Sequence, residues 1–441
     1  MACLLVEASL LGVGIDDLDE GYFIQQATRV LHGQLPYRDF ATLYAPGLAF
    51  LHAGVFALLG GPSLLAPRVL ACLARAGLVL TLFGLTRPLV RNPWWAALPG
   101  VVLLLGLDDA PVRWEPHPGW LSSLAAILAV WCAAHQTNGW RLISGLLAAL
   151  AYVFKQNTGV FILAAVLIWT WPRSAWPAAA FGLGTAAWLA ALLMAGVQVQ
   201  QLGVLVGAVN EASLVSAPEP TVLIPLAALI GGFWLLRRDS QPRVRLYLLG
   251  GTALFLTEFP RMDTQHLAWS APLLLVLGAA ALERVPRALA IACVGATLVL
   301  VRPTLTSRLA YMAGPRSEVA GVSAPAQTAS DIQTTVDDIR ARTAPDEPVF
   351  VYPTSPLLYV LAQRTNPTRF DHLNPGAATP TEIDQIITDL QNTQVRLVVI
   401  SDFWEAAWGP PGANAALEGW LADHYSEVDR HGTYRVLQPD L

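Results

Sequence analysis

Lysine is almost missing from this sequence: of 27 basic side chains in 441 residues, all but Lys155 are arginine. Charge of either sign is scarce, at 13% of residues, where a soluble domain carries about 25%. Neither GxxxxGK[ST] nor a strand-associated GxGxxG is present, so nothing marks a soluble nucleotide site. No basic patch exists and the net charge is -5, which gives no footprint for nucleic acid. The four cysteines, Cys3, Cys72, Cys132 and Cys293, lie inside apolar runs without CxxC or other metal-ligand spacing. They read as small buried hydrophobes.

What is abundant is apolar surface, with 54% hydrophobic residues and a mean hydropathy of +0.48. A helix needs about 20 largely apolar residues to cross a ~30 Å hydrocarbon core. Such runs recur as far as about Val301, and the composition then turns polar. The fold class that follows is an all-α polytopic membrane bundle. Eleven spans are expected, near 1–15, 65–86, 94–107, 119–135, 141–155, 158–171, 175–197, 220–236, 245–258, 267–282 and 287–302. The first reaches only ~22 Å at ~1.5 Å per residue. No basic residue precedes it, which points to a start further upstream rather than to a cleaved signal peptide.

Arginine-rich connections at 87–91, 141, 173, 237–245 and 283–287 alternate with acidic or mixed ones. If the arginine-rich set is cytoplasmic, the C-terminal tail lies outside. The apolar stretch 45–61 would reverse every later loop if it spanned, so parity makes it an interfacial or re-entrant helix.

The other set of loops carries nearly all the polar chemistry. The first holds Asp16, Asp17, Asp19 and Glu20 in GIDDLDEGYF; the second Arg113, Glu115 and His117. Lys155, Gln156 and Asn157 follow in FKQNTG, then Glu258, Arg261, Asp263 and His266 in TEFPRMDTQH. Carboxylates, cations and histidines gathered on one side of a bundle suggest an active site at the membrane surface. The bland alternatives are solvated loop charges, an N-cap role for Asp19 and a snorkelling Lys155. The run EGYFIQQATRVLHG carries an apolar stripe that would lay a helix along the interface with Asp19 at its N-terminus. Lys155 offers a compact cation for a phosphate or pyrophosphate. Transfer from a lipid-anchored, phosphate-linked donor needs a base for the acceptor hydroxyl and positive charge or metal for the departing phosphate.

DEGYFIQQATRVLHGQLPYRDF, YAPGLAFLHAGVFALLGGPSLLAPR, FKQNTG and FPRMDTQHLAWSAP together resemble the C-type (GT-C) glycosyltransferase superfamily. The nearest likeness is to bacterial family 39, the relatives of protein O-mannosyltransferases and lipid A aminoarabinose transferases. The resemblance covers roughly residues 10–300. It implies a polyprenyl-phosphate sugar donor, a protein, lipid or polysaccharide acceptor, and inversion at the anomeric carbon. It also implies a multi-pass protein of the plasma (inner) membrane. Asp19 matches the loop carboxylate, as base or metal ligand, with Glu20 beside it. Lys155 and Arg261 match phosphate contacts, and His266 and Arg113 join them as candidate substrate contacts. Glu115 and His117 stand where a second acidic or metal site is found. A divalent cation, Mg or Mn, is a candidate cofactor.

The tail divides into a linker over 303–328 and a small extracytoplasmic α/β domain over 329–441, the bundle being 1–302. Strands are expected at 348–352, 395–401 and 433–438, and helices from a capping Ser330 and over 381–392. The domain either shapes the acceptor side or only stabilises the bundle. The competing function for the whole chain is a transporter or flippase for a lipid-linked or anionic substrate, favoured by Arg75 inside a span. A third is an assembly subunit without chemistry, which leaves the acidic cluster unexplained.

Overall fold

The computed structural model describes residues 2–108, 110, 112, 116–205, 218–238, 241–259, 261–345, 347–373, 378–407 and 414–440. Helices occur at each of the eleven predicted runs. They are α1 (Ala2–Leu10), then α2 (Asp19–Leu31) and α3 (Gly47–Leu59) in the first loop, α4 (Leu65–Thr86), α5 (Pro93–Val102), α6 (Pro118–Ala133), α7 (Asn138–Phe154), α8 (Gln156–Thr170), α9 (Ala175–Met194), α10 (Leu223–Arg238), α11 (Pro242–Leu256), the pair α12 (Thr264–Ser270) and α13 (Pro272–Leu282), and α14 (Arg287–Ala313).

Four of these, Leu65–Leu89, Ala175–Met194, Pro220–Arg238 and Arg287–Ala313, are long and apolar enough to cross a membrane unaided. A fifth crossing results if α12 and α13, bent by 81° at Ala271, form one broken span. The chain is a multi-pass membrane protein. At 13 residues α3 falls short of a crossing, and it ends on Gly60 in the left-handed conformation.

Small residues set the closest approaches. A Cβ on Gly145 of α7 would lie 2.8 Å from the Pro177 Cα of α9, the device that lets membrane helices pack on van der Waals contact alone. After α5 the chain widens into a π-helical turn, Leu103–Leu107, which misaligns carbonyls. Arg308 of α14 satisfies them by donating to the Leu104 carbonyl at 2.7 Å and the Asp108 carbonyl at 3.1 Å. In the bundle core, Leu78, Leu82, Leu103 and Trp120 pack together.

The segment 303–328 is not a loose linker. Helix α14 continues through Pro303 to Ala313, and a hairpin of β1 (Arg316–Val319) and β2 (Val322–Pro325) follows. The next helix, α15 (Ala326–Arg342), begins four residues ahead of the expected cap at Ser330, so that serine lies inside it. Beyond it come β3 (Phe350–Tyr352), α16 (Leu357–Ala362), α17 (Pro380–Asn392), β4 (Val398–Ser401), α18 (Asp402–Ala407), α19 (Ala415–His424), β5 (Tyr425–His431) and β6 (Tyr434–Pro439). The sheet order is β3-β4-β6-β5, with β3 and β4 parallel and the rest antiparallel. Thr379 and Glu382 start α17 with a capping box.

This domain has no separate core on the side facing the bundle. Ile15, Ile24, Ala27 and Phe56 of the first loop share one with Val319, Leu357 and Val399. The hairpin pairs with the chain after α1, Gly14 N–H donating to the Ser323 carbonyl and Ser323 N–H to that of Gly12, each at 2.8 Å. Helix α2 is therefore packed between α3 and α16.

Candidate active site

The acidic stretch before α2 resolves into distinct environments. Asp16 caps the helix: its Oδ1 accepts from the N–H groups of Leu18 and Asp19 at 3.0 and 3.1 Å. The N-cap position is Leu18, not Asp19, and its side chain makes no capping bond; Asp16 meets the Asp19 N–H instead. Burial, reinforced by the neighbouring Asp19, Asp17 and Glu20, pushes the Asp16 carboxyl well above its ordinary range. Asp17 turns to the C-terminal domain, where its Oδ2 accepts from Ser355 and Tyr434.

Glu20 is fully buried against Arg68 of α4, in a two-pronged pair with Nε–Oε1 at 2.5 Å and Nη2–Oε2 at 2.7 Å. Burial raises its carboxyl, and the charge and hydrogen bonds of Arg68 oppose that. The remaining guanidinium protons go to the carbonyls of Leu11 and Gly14. Neighbouring helical residues point in different directions. Asp19, partly exposed, shares the face of Phe23 one turn on, whereas Glu20 shares the inward face of Ile24.

Phe23 faces the second gathering of polar groups. His117 lies edge-on to Phe23 and Tyr44, at centroid distances of 5.7 and 5.0 Å, and stacks on Trp269 at 4.1 Å. It precedes α6, whose Gly119 N–H donates to His117 Nδ1 at 2.8 Å. Burial, then the charges of Lys155, His266 and Arg261, hold His117 well below its ordinary range. A neutral ring with Nδ1 accepting carries its proton on Nε2.

Lys155, between α7 and α8, meets Glu258 at 2.5 Å and places its ammonium 5.6 Å from the Trp269 ring centroid. Gln156 beside it accepts from the Ala45 N–H at 3.0 Å, fastening this loop to the first. Ahead of α12, Asp263 accepts from His266 Nδ1 at 2.7 Å and Arg261 Nε at 3.0 Å. Burial alone would raise the Asp263 carboxyl, but these partners outweigh it and hold it well below its usual value. With Nδ1 donating, a neutral His266 offers the Nε2 lone pair.

Of the residues singled out from sequence, the fold gathers His117, Lys155 and His266 around Trp269, ties Arg261 to His266 through Asp263, places Asp19 one turn ahead of Phe23, and turns Glu20 away to Arg68. Arg113 and Glu115 lie outside the described residues. A divalent cation fits this constellation poorly. His117 has given its Nδ1 lone pair to Gly119 and presents a proton at Nε2, so it cannot ligate without losing the cap. Among the described residues, the group of three metal-capable side chains that does come together is Asp338, Asp429 and His431 in the C-terminal domain. There Arg342 already pairs with both aspartates.

Sequence reasoning missed Arg68 as the partner of Glu20 and Trp269 as the centre of the cluster. An arginine three residues into an apolar span is a signal for the first. Nothing local distinguishes Trp269 among 15 tryptophans.

No protein-family model and no curated relative matches the sequence. Solved structures do. ArnT from Cupriavidus metallidurans in the apo state superposes with a TM-score of 0.62 at 13% identity, covering 99% of this chain and 97% of that one. The same protein bound to undecaprenyl phosphate gives 0.60 at 13% identity, with the same coverage. The Archaeoglobus fulgidus oligosaccharyltransferase in complex with Zn and sulfate gives 0.54 at 12% identity, over 99% of this chain and 72% of that one.

Proposed function

We propose that this chain, whose fold is that of the GT-C membrane glycosyltransferases, transfers a sugar from a polyprenyl-phosphate donor to an acceptor hydroxyl at the non-cytoplasmic face. The observation that carries the reading is the division of charge across α2. A partly exposed carboxylate, Asp19, shares the face of Phe23, whose ring meets His117, and His117 in turn is neighboured by Lys155, Arg261 and His266. A neighbouring fold that holds undecaprenyl phosphate supports a donor of that class.

In this mechanism Asp19 takes the proton of the acceptor hydroxyl as its oxygen attacks the anomeric carbon. The bond from that carbon to the phosphate oxygen breaks on the opposite side, giving inversion and a polyprenyl phosphate. The growing phosphate charge is stabilised by Lys155 and Arg261 and by the Nε2 proton of His117. Glu20, committed to Arg68, positions the start of α2 rather than reacting. The described residues do not assemble a cation site here, and no step is routed through a metal. The C-terminal domain, docked on the first loop, lies on the same non-cytoplasmic side.

Replacing Asp19 by Asn tests this in membranes supplied with polyprenyl-phosphate sugars. Transfer is expected to fall by about 10²–10⁴-fold, with an unchanged melting temperature. Undiminished transfer removes Asp19 as the base. The competing transporter reading draws on the broken span at Ala271 and on Arg75 inside the bundle. Yet Arg75 is enclosed by Glu7 at 3.3 Å, Asp108 at 3.2 Å and the Trp120 ring at 4.5 Å, which suits a structural ion cluster. Movement of a lipid-linked sugar across liposomes without consumption of acceptor would favour the transporter.

A further inference from the structure

Asp19 stands between two residues tied to different bodies. Glu20 is held by Arg68 of the bundle. Asp17 is held by the C-terminal domain: its Oδ2 accepts from Ser355 Oγ and Tyr434 OH, both at 2.6 Å, and its Oδ1 faces Trp404 Nε1 at 3.4 Å. Ser355 and Tyr434 are themselves buried, and Ser355 sits at φ +137°, a conformation that costs a non-glycine residue energy and persists where the surroundings impose it.

Contact continues along α2. A Cβ on Gly21 would lie 2.6 Å from the Leu357 nitrogen, so the two backbones touch with no side chain between them. At the other end, Arg29 donates to Asp371 at 3.0 Å and to the Thr368 carbonyl at 3.1 Å. One domain therefore grips α2 at both ends.

We infer that the C-terminal domain is a working part of the active site, with Asp17 as the positioning residue through which Ser355 and Tyr434 fix the pose of Asp19. This rests on Asp19 being the base of the proposed transfer. The physical requirement is preorganisation: a base displaced by about 1 Å from the acceptor proton can lose about 10²-fold in rate. Glu20 anchors the helical side of Asp19; on the other side Asp16 accepts from the Asp19 N–H, and Asp17 ties the same short connection to the C-terminal domain.

The test uses the full chain in nanodiscs. In a Tyr434→Phe, Ser355→Ala double variant the ring and the packing remain while both donors to Asp17 Oδ2 are lost. Amide hydrogen exchange over 14–23 is expected to speed up about tenfold, with 68–86 unchanged. For a polyprenyl-phosphate sugar donor, kcat should fall about 30-fold while KM stays within about twofold, because the interaction acts on the transition state. Asp17→Asn should keep most of the activity that Asp17→Ala loses, since one amide oxygen can take the place of Oδ2 and accept from both hydroxyls.

Unchanged exchange over 14–23 in the double variant overturns the inference whatever transfer shows. An unaltered kcat alongside an inactive Asp19→Asn variant overturns it while leaving the proposed function standing. Full transfer by Asp19→Asn removes both.

Discussion

Ion pairs in the bundle and ion pairs on the C-terminal sheet are made of the same side chains and differ in nearly everything else. Arg68 and Glu20 are wholly inaccessible, and every guanidinium nitrogen of Arg68 donates to a protein acceptor. Arg430 on β5 bridges Asp402 and Glu427 with all three side chains 34–48% exposed. A buried charge deprived of its partner has no water to turn to, whereas an exposed one is resolvated at once. In this molecule a buried charge in the bundle specifies position, and an exposed charge on the C-terminal sheet is exchangeable.

Breaking the bundle pair should give the largest effect. Arg68→Ala strands Glu20 and is expected to cost about 3–5 kcal/mol, seen as loss of a melting transition and of recovered protein. Adding Glu20→Leu to an Arg68→Leu variant should restore a folded chain. Such a pair can be replaced by apolar groups of similar volume.

An intermediate case sharpens the comparison. His372 lies in the outer domain but against α2, its ring edge-on to Tyr22 at 5.7 Å, and burial lowers it to about 4. Its ordinary value is about 6.5, so the unfolded chain binds a proton between those limits that the folded one refuses. Stability is full above pH ~6.5 and falls as pH drops towards ~4. Melting temperatures measured across that window should decline in the parent, and the decline should flatten in His372→Gln. The smallest effect is expected for Arg430→Ala. Its melting temperature should stay within about 1 °C of the parent, the usual size for a solvated surface pair. A large drop there would erase the contrast between the two regions.

The bundle was legible because an apolar run is its own boundary marker. Helix α4 covers the predicted 65–86, and in the tail α17 covers the helix expected over 381–392. Strand β5 was not legible. At an exposed sheet edge YSEVDRH buries only its first residue, so it carries no alternation to detect. Segment 303–328 read as a linker since its polar residues are those of a hairpin whose partner, Gly12–Gly14, lies some 300 positions away. The site was legible in kind but not in division of labour. Composition flags an acidic cluster, yet Asp16 as cap, Asp17 as anchor and Glu20 as ion-pair partner depend on Leu18, Tyr434 and Arg68, and only the last belongs to a readable span.

The hydrogen bond between Asp17 and Tyr434 joins residues 417 positions apart, which matters for the order in which the protein is made. Chains emerge from the N-terminus and domains fold as they appear. The bundle and its Glu20–Arg68 pair are complete once α14 has been synthesised, but the acceptor at Asp17 waits for β6. A ribosome that stalls before β6 releases a membrane-embedded chain whose acidic loop lacks this fastening. The fastening of the acidic loop thereby follows synthesis of β6 rather than that of the bundle.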